Sequence, residues 1–267
     1  MSYLKKYLQS PQAETVLLID GDLYLYRACA ACETEIDWGD DIWSLSIDLK
    51  EAKKVFQKTI DDFCDHLGTG NFIVCLSDKG NFRKELDSTY KGGRKKVRKP
   101  VGYLEMLRWV KKTYRWHIEP MLEADDVMGI LGSAPGHQTI VISDDKDLKS
   151  VPCKLFRPMS GEFQTINKAQ ADLWFYTQAL TGDVTDGYAG CPSVGPKTAE
   201  KLLKQNTSWS TVVNAYAKQK LNANYALTQA RLARILRYED WDLDNNTIKL
   251  WEPRHETNST KTKHRND

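Results

Sequence analysis

The acidic residues of this chain fall where short apolar runs end. Thr15 to Ile19 (TVLLI) runs into Asp20, Gly21 and Asp22, Asn71 to Leu76 (NFIVCL) leads through Ser77 to Asp78, and Gln138 to Ile142 (QTIVI) leads through Ser143 to Asp144, Asp145, Lys146 and Asp147. Glu123, Asp125 and Asp126 stand just before an apolar helical run, Val127 to Leu131, and Asp183 and Asp186 lie within TGDVTDG. Each group has an ordinary structural explanation, since acids complement the first turn of a helix and Asp-Gly is common turn chemistry. Taken together they point further. Carboxylates gathered at one sheet edge repel and raise one another's pKa unless divalent cations neutralise them. Such hard oxygen ligands suit Mg2+ or Mn2+, and two ions about 3.5 to 4 Å apart clamp a phosphodiester and activate water.

The elements that must position these acids follow from periodicity. The three β-branched runs read as buried strands, with amphipathic helical stretches between them at Ser46 to Leu67 and Val101 to Tyr114. This alternation predicts an α/β fold with a mostly parallel sheet flanked by helices, and in such sheets the binding crevice lies beyond the carboxyl ends of the strands. From Asn167 onward the pattern turns helical: Asn167 to Leu180, Pro196 to Lys204, Trp209 to Ala217 and Asn224 to Arg237. The expected organisation is an α/β core over 1–166, a helical region over 167–254 and a polar tail over 255–267.

The 267 residues are 41% hydrophobic and 28% charged, which excludes collagen, mucin-like stalks and general disorder. No stretch approaches about 18 apolar residues and Met1 to Gln12 has no hydrophobic signal-peptide centre, so neither membrane insertion nor export is expected and a cytosolic location follows. Of the six cysteines only Cys29 and Cys32 form a CxxC, and without a second pair or a nearby His they read as buried helix thiols.

A net charge of +2 argues against a nucleic-acid binder until it is resolved by position. Between Lys79 and Arg115 thirteen basic residues face three acidic ones, a local +10 that leaves −8 for the remainder. Its centre, KGGRKKVRKP from Lys91 to Pro100, reads as an exposed, flexible segment for polyanion contact. GYAGCPSVGPKTAEKLL, from Gly187 to Leu203, reads as a compact turn opening a helix, with backbone N–H groups that suit a phosphate.

LIDGD, SDKGNFRKEL, YKGGRKK, EADD, SDDKDL and GDVTDGYAGCPSVGPKTAEKLL occur in the order found in the 5′-nuclease family of flap endonucleases and 5′→3′ exonucleases. YKGGRKKVRKPVGY, EPMLEADDVMG and ARLARILRYEDWDLDNNTIKLWEP resemble most the stand-alone 5′→3′ exonuclease of short-tailed phages, and the similarity spans Thr15 to Pro253. The resemblance implies a PIN-like core, a helical arch or loop within the basic region 79–115, and a helix-three-turn-helix DNA-binding element at about 183–205. It implies metal-site carboxylates at Asp20, Asp78, Glu123, Asp125, Asp126, Asp145, Asp147, Asp183 and Asp186, with Glu123, Asp125, Asp126 and Asp145 nearest the catalytic pair of ions. Asp22 and Asp144 are extra acids beside matched positions, with ligand and tuning roles both open. Lys91 and Arg94 match residues that contact the scissile phosphate, with Lys95 and Lys96 beside them, and Tyr90 is placed to stack on the terminal base. Gly190, Gly195 and Lys197 would hold the duplex backbone, in this family often with K+.

The function expected is a two-metal 5′→3′ exodeoxyribonuclease acting from 5′ ends on duplex DNA, and on RNA in RNA-DNA hybrids, in phage replication, primer removal and DNA degradation. The protein would work as a monomer in the cytoplasm of the infected host cell, with no membrane partner. The alternatives are a structure-selective 5′-flap endonuclease and, from a different class, a non-catalytic DNA-binding relative.

Overall fold

A computed structural model describes residues 3–10, 13–93 and 98–253. Arg94, Lys95, Lys96 and the tail 255–267 therefore lie outside the described residues. After the short helix α1 (Tyr3–Leu8) comes β1 (Val16–Asp20), buried along its whole length. Strand side chains alternate between faces, so Val16 and Leu18 enter one core while Leu17 and Ile19 enter the other. That double burial is why TVLLI shows no polar alternation. Helix α2 (Gly21–Ala31) starts at once, with Asp20 as its N-cap. A Cβ on Gly21 would stand 2.5 Å from Val74 Cγ1 and 2.6 Å from the Cys75 carbonyl, so only glycine lets the helix start so close to the sheet.

A hairpin of β2 (Glu33–Asp37) and β3 (Trp43–Ile47) follows. It corrects the expected helix from Ser46, because Ser46 and Ile47 pair with Thr34 and Glu33. Helix α3 (Leu49–Leu67) starts after Asp48, whose carboxylate accepts the Lys50 and Glu51 N–H groups, and ends on Gly68 at φ +68. Then come β4 (Phe72–Cys75), the four-residue α4 (Arg83–Leu86), α5 (Tyr103–Thr113), β5 (Trp116–His117), α6 (Ala124–Gly132), β6 (Thr139–Ile142), a 3-10 turn over Lys146–Ser150, β7 (Lys154–Arg157) and β8 (Glu162–Thr165). Before residues 94–97 the described chain passes from a turn at Tyr90 and Lys91 into 3-10 geometry at Gly92 and Gly93, and after them it is irregular to Pro100.

The sheet order is β5-β4-β1-β6-β7-β8, parallel throughout except for β8 against β7. Helices α1 and α6 cover one face; α2, α3 and α5 cover the other. From the central β1 the sheet extends through β4 and β5 on one side and through β6 and β7 on the other. The loops after β1 and β6 part there and leave a crevice beyond the strand ends.

Four helices follow: α7 (Lys168–Thr181), α8 (Pro196–Gln205), α9 (Trp209–Lys218) and α10 (Ala223–Ala233). The last stops short of the expected Arg237. Its final arginines are pulled inward, Arg234 onto Asp240 and Arg237 onto the Ser150 carbonyl and Asp172, while the Leu236 N–H donates to Asp126. Ile235, Leu236 and Trp241, the last opening β9 (Trp241–Asp242), then enter the core beside α1 and α6. The chain turns back through β10 (Thr247–Ile248), paired antiparallel to β9. All six cysteines are free thiols; Cys29 is buried on α2 and Cys32 is its C-cap. Among the described residues no helix is long and apolar enough to cross a membrane.

Candidate active site

At the carboxyl ends of β1 and β6 the acids meet. Glu123, Asp125, Asp145, Asp147, Asp183 and Asp186 line a cavity of about 240 Å3. It shares Lys91, Glu123, Asp125, Asp145 and Lys146 with a wider cavity of about 990 Å3, which Asp20, Asp22 and Asp144 also line. The backbone fixes the acids individually. Asp20 caps α2 by accepting the Leu23 N–H at 3.0 Å, and its other oxygen accepts the Ser143 hydroxyl at 2.6 Å. Asp145 caps the 3-10 turn by accepting the Asp147 N–H at 2.8 Å. Asp183 accepts the N–H groups of Thr185 and Asp186, which folds the loop after α7 so that Asp186 faces the cavity.

The electrostatics are strained. Burial, then Asp22 and Asp145, push Asp20 up to about 7 against the pull of the Ser143 hydroxyl and the Leu23 N–H. Burial and Asp145 likewise push Asp147 up to about 7, and burial, Asp145 and Asp20 hold Asp125 well above the usual carboxylate range. Asp147 Oδ1 is buried with no hydrogen-bond partner. Glu123 behaves oppositely: burial works to raise it, but Lys91 and then Arg83 outweigh burial and bring it down to about 2. The Lys91 ammonium lies 2.6 Å from Glu123 and 3.6 Å from Asp186, on a residue whose φ is +52. Buried acids with too few cations among them, one with an orphaned oxygen, fit a divalent-ion site. Among the described residues no three His, Cys, Asp or Glu side chains close around one point. An open arrangement of this kind suits an ion that keeps several of its waters, as Mg2+ does.

Seven of the nine expected ligands line the two cavities; Asp126 and Asp78 do not. Asp126 is fully buried, both oxygens taken by Arg83 at 2.7 Å, with the Leu236 N–H at 3.0 Å and the Glu123 N–H at 3.2 Å as further donors. Asp78 accepts the N–H groups of Met121 and Gly80, which hold it below the usual range. The extra acids are spent on bracing. Asp22 accepts from the Ser77 N–H and the Tyr103 hydroxyl, and Asp144 from Arg27 and the Met159 N–H.

Two expected substrate contacts are also corrected. Tyr90 is 3% exposed, packed with Tyr188 and Leu232, and its hydroxyl lies 3.1 Å from both Glu123 and Asp186, so the ring is not offered to a base. Gly190 gives its N–H to Gln229, and at φ +67 a Cβ there would come 2.3 Å from the Gly182 nitrogen; it is a packing glycine. Gly195 and Lys197 are exposed at the start of α8, where no side chain caps the helix. The basic stretch is only partly a surface. Arg83 and Lys91 point inward, Arg98 pairs with Glu33, and Lys99 covers the Tyr103 ring at 3.9 Å.

Arg83, Ser143 and the α2 pair Tyr26 and Arg27 escaped the sequence reading. Tyr26 is 42% exposed and lines the wider cavity with Arg27. The signal was spacing: Arg27 stands seven residues after Asp20, nearly two helical turns along one face, and Tyr26 is its chain neighbour.

Several known proteins are similar to this chain. Residues 15–170 match the family model described as 5′-3′ exonuclease, N-terminal resolvase-like domain. The exodeoxyribonuclease of Enterobacteria phage T3 is 31% identical over 90% of this chain and 93% of its own length. The exonuclease of Escherichia phage T7 is 30% identical over 89% and 93%. Among solved structures, the T5 D15 protein co-crystallised with metal ions is similar with a TM-score of 0.63 at 16% identity, covering 82% of this chain and 89% of that one. T5 5′-exonuclease with bound zinc gives 0.59 over the same shares, also at 16% identity. At such identity the likeness shows the fold: a mostly parallel sheet flanked by helices. With that fold, a family model matched over more than half of the sequence and two phage relatives aligned along about nine-tenths of it, the chain belongs to the 5′-3′ exonuclease family.

Proposed function

We propose that the paired cavities are the divalent-ion and substrate site of a 5′→3′ exodeoxyribonuclease acting on duplex DNA from 5′ ends. The observation that carries this is the set of buried, undercompensated carboxylates, with Asp147 Oδ1 unpartnered, beside a wider cavity lined by Arg27, Lys84, Lys99 and Lys146. Asp20, Glu123, Asp125 and Asp145 would hold Mg2+ or Mn2+ nearest the reacting phosphate, with Asp147, Asp183 and Asp186 around a second position. Bound there, such ions supply Lewis acidity toward water and the phosphodiester.

The chain's own groups do the rest. Lys91, set between Glu123 and Asp186, offers an ammonium to phosphate once cations satisfy those carboxylates. Arg94 keeps the phosphate-contacting role that the resemblance gives it, and Lys95 and Lys96 beside it are further substrate contacts. Tyr26 takes the base-stacking role withdrawn from Tyr90. The uncapped start of α8, with Gly195 and Lys197, is suited to grip the duplex backbone without reading bases, with K+ as an aid, as in a helix-three-turn-helix. RNA in RNA-DNA hybrids and 5′ flaps are further substrates, and the setting is replication and DNA breakdown by a monomer in the cytoplasm of an infected cell. The phage T3 and T7 relatives, named for exonuclease activity, support this reading.

The test is digestion of a blunt duplex and a 5′-flap duplex, each labelled at the 5′ end, with Mg2+ or with EDTA. Mononucleotides and short products from the blunt end, and none in EDTA, are expected. Cleavage confined to the flap would replace this reading with a flap endonuclease, and DNA binding without cleavage in either ion would replace it with a non-catalytic relative.

A further inference from the structure

Arg83 is buried at the start of α4, just before the basic segment. Its guanidinium has five N–H donors and the structure provides five acceptors. Asp126 takes two at 2.7 Å, Glu123 Oε2 stands at 3.4 Å, and the carbonyls of Leu232 and Arg234 take the others, the first at 3.1 Å. Three chain segments meet on this one side chain: α4, the start of α6 that carries the cavity acids, and the end of α10. Asp126 completes the clamp by accepting the N–H groups of Glu123 and Leu236. A buried ion pair contributes little net stability compared with a well-packed apolar pair, so stability alone is a poor reason for one here. Its location one contact away from Glu123 is a better one.

We propose that Arg83 is a positioning residue for the reaction: through Asp126 and its own contact it fixes where Glu123 points into the cavity, and it does so only while residues 232–236 are seated. In this role Arg83, which also lines the smaller cavity, acts through these carboxylates and not on substrate or ion directly. A lysine cannot replace it, because a single ammonium cannot serve two carboxylates and two carbonyls in the plane of a fork. The proposal rests on the cavity being the divalent-ion site.

Two variants test it, each first checked for a cooperative thermal transition: Arg83→Lys, and the apolar replacement Arg83→Met with Asp126→Leu. The readouts are kcat and KM on duplex DNA with Mg2+, and Mn2+ affinity of the DNA-free protein by titration calorimetry. Loss of an outer partner of a ligand costs about 10- to 100-fold in activity or ion affinity, so kcat should fall by about that factor and Mn2+ affinity by about tenfold, with KM nearly unchanged. A folded double variant with wild-type kcat and Mn2+ affinity would overturn the proposal and leave Arg83 a packing residue. So would a rise in KM alone, which would make it a phosphate contact. If the double variant does not fold, Arg83→Lys decides on the same criteria. Failure of the wild-type chain to bind Mn2+ sinks the ion-site reading itself, a result distinct from unchanged variants in a chain that binds it.

Discussion

At the scale of single residues, Asp145 carries the sharpest prediction. Its carboxylate already caps the 3-10 turn through the Asp147 N–H, a bond an amide oxygen can also accept. Asp145→Asn should therefore keep the fold while cleavage with Mg2+ falls at least about 100-fold, the scale of losing several kcal/mol of charge stabilisation. Fluorescence anisotropy with Ca2+ should show DNA affinity within a few-fold of wild type, and full cleavage by the variant would remove Asp145 from the site. The two tyrosines separate in the same assay. Stacking is worth about 1 to 3 kcal/mol per base, so Tyr26→Ala should raise KM about 5- to 150-fold, whereas Tyr90→Leu, which removes a ring not offered to a base, should leave KM unchanged. An equal response of both variants would undo that assignment. Sequence spacing placed Asp20, Glu123, Asp125, Asp145, Asp147, Asp183 and Asp186 correctly around the cavities, because each follows a strand or opens a turn that faces the crevice. It did not foresee that Asp126 is held away from the cavity lining by Arg83, which lies 43 residues away and is counted by charge arithmetic as surface. Asp78 is likewise outside the cavities: nothing local announces that Met121, in the loop after the neighbouring strand β5, will donate to it.

At the scale of elements, buried strands were legible and edge elements were not. β1, β4 and β6 are apolar on both faces, and α7, α8 and α9 end one residue beyond Leu180, Lys204 and Ala217, where their helical patterns stop. β2 and β3 form a hairpin with exposed Trp38, Ile42 and Trp43, so no core-facing period marks it. The end of α10 was read too far because Arg234 and Arg237 look like ordinary helix-terminal cations until their buried acceptors are known. The connection from α7 to α8 carries two predictions of different sign. Gly190→Ala puts a methyl into the Gly182 backbone at positive φ and should lower stability by about 1 to 3 kcal/mol, seen as a drop in Tm. Lys197→Ala should leave Tm alone, weaken DNA binding equally across sequences and reduce the salt slope of affinity by about 1. A Tm loss in Lys197→Ala with an unchanged salt slope would mean that α8 faces away from DNA.

At the scale of the whole molecule, the cavity acids set how stability depends on pH. Asp20 and Asp147 titrate near 7 in the ion-free fold, and Asp125 is also raised, above an ordinary value near 4. The folded chain thus binds these protons more tightly than the unfolded chain does. Their contribution to stability is fully present below about pH 4 and is lost as pH rises through about 7. Glu123, lowered to about 2, contributes above its ordinary value near 4.5 and is lost only as pH falls toward 2, outside that window. In EDTA, Tm should fall by several degrees between pH 5 and pH 8, and Mg2+ should raise it more at pH 8 than at pH 5. An Mg2+ gain equal at both values would uncouple the acids from ion binding.

The seating of the chain near Leu236 also bears on synthesis. Leu232 and Arg234 supply carbonyls to Arg83, Leu236 supplies an N–H to Asp126, and Ile235, Leu236 and Trp241 fill the core beneath α6. A ribosome delivers these residues after every cavity acid has already emerged. A growing or prematurely released polypeptide therefore displays all its carboxylates without the contacts that hold them, and the clamp closes only after residues 232–241 have been made.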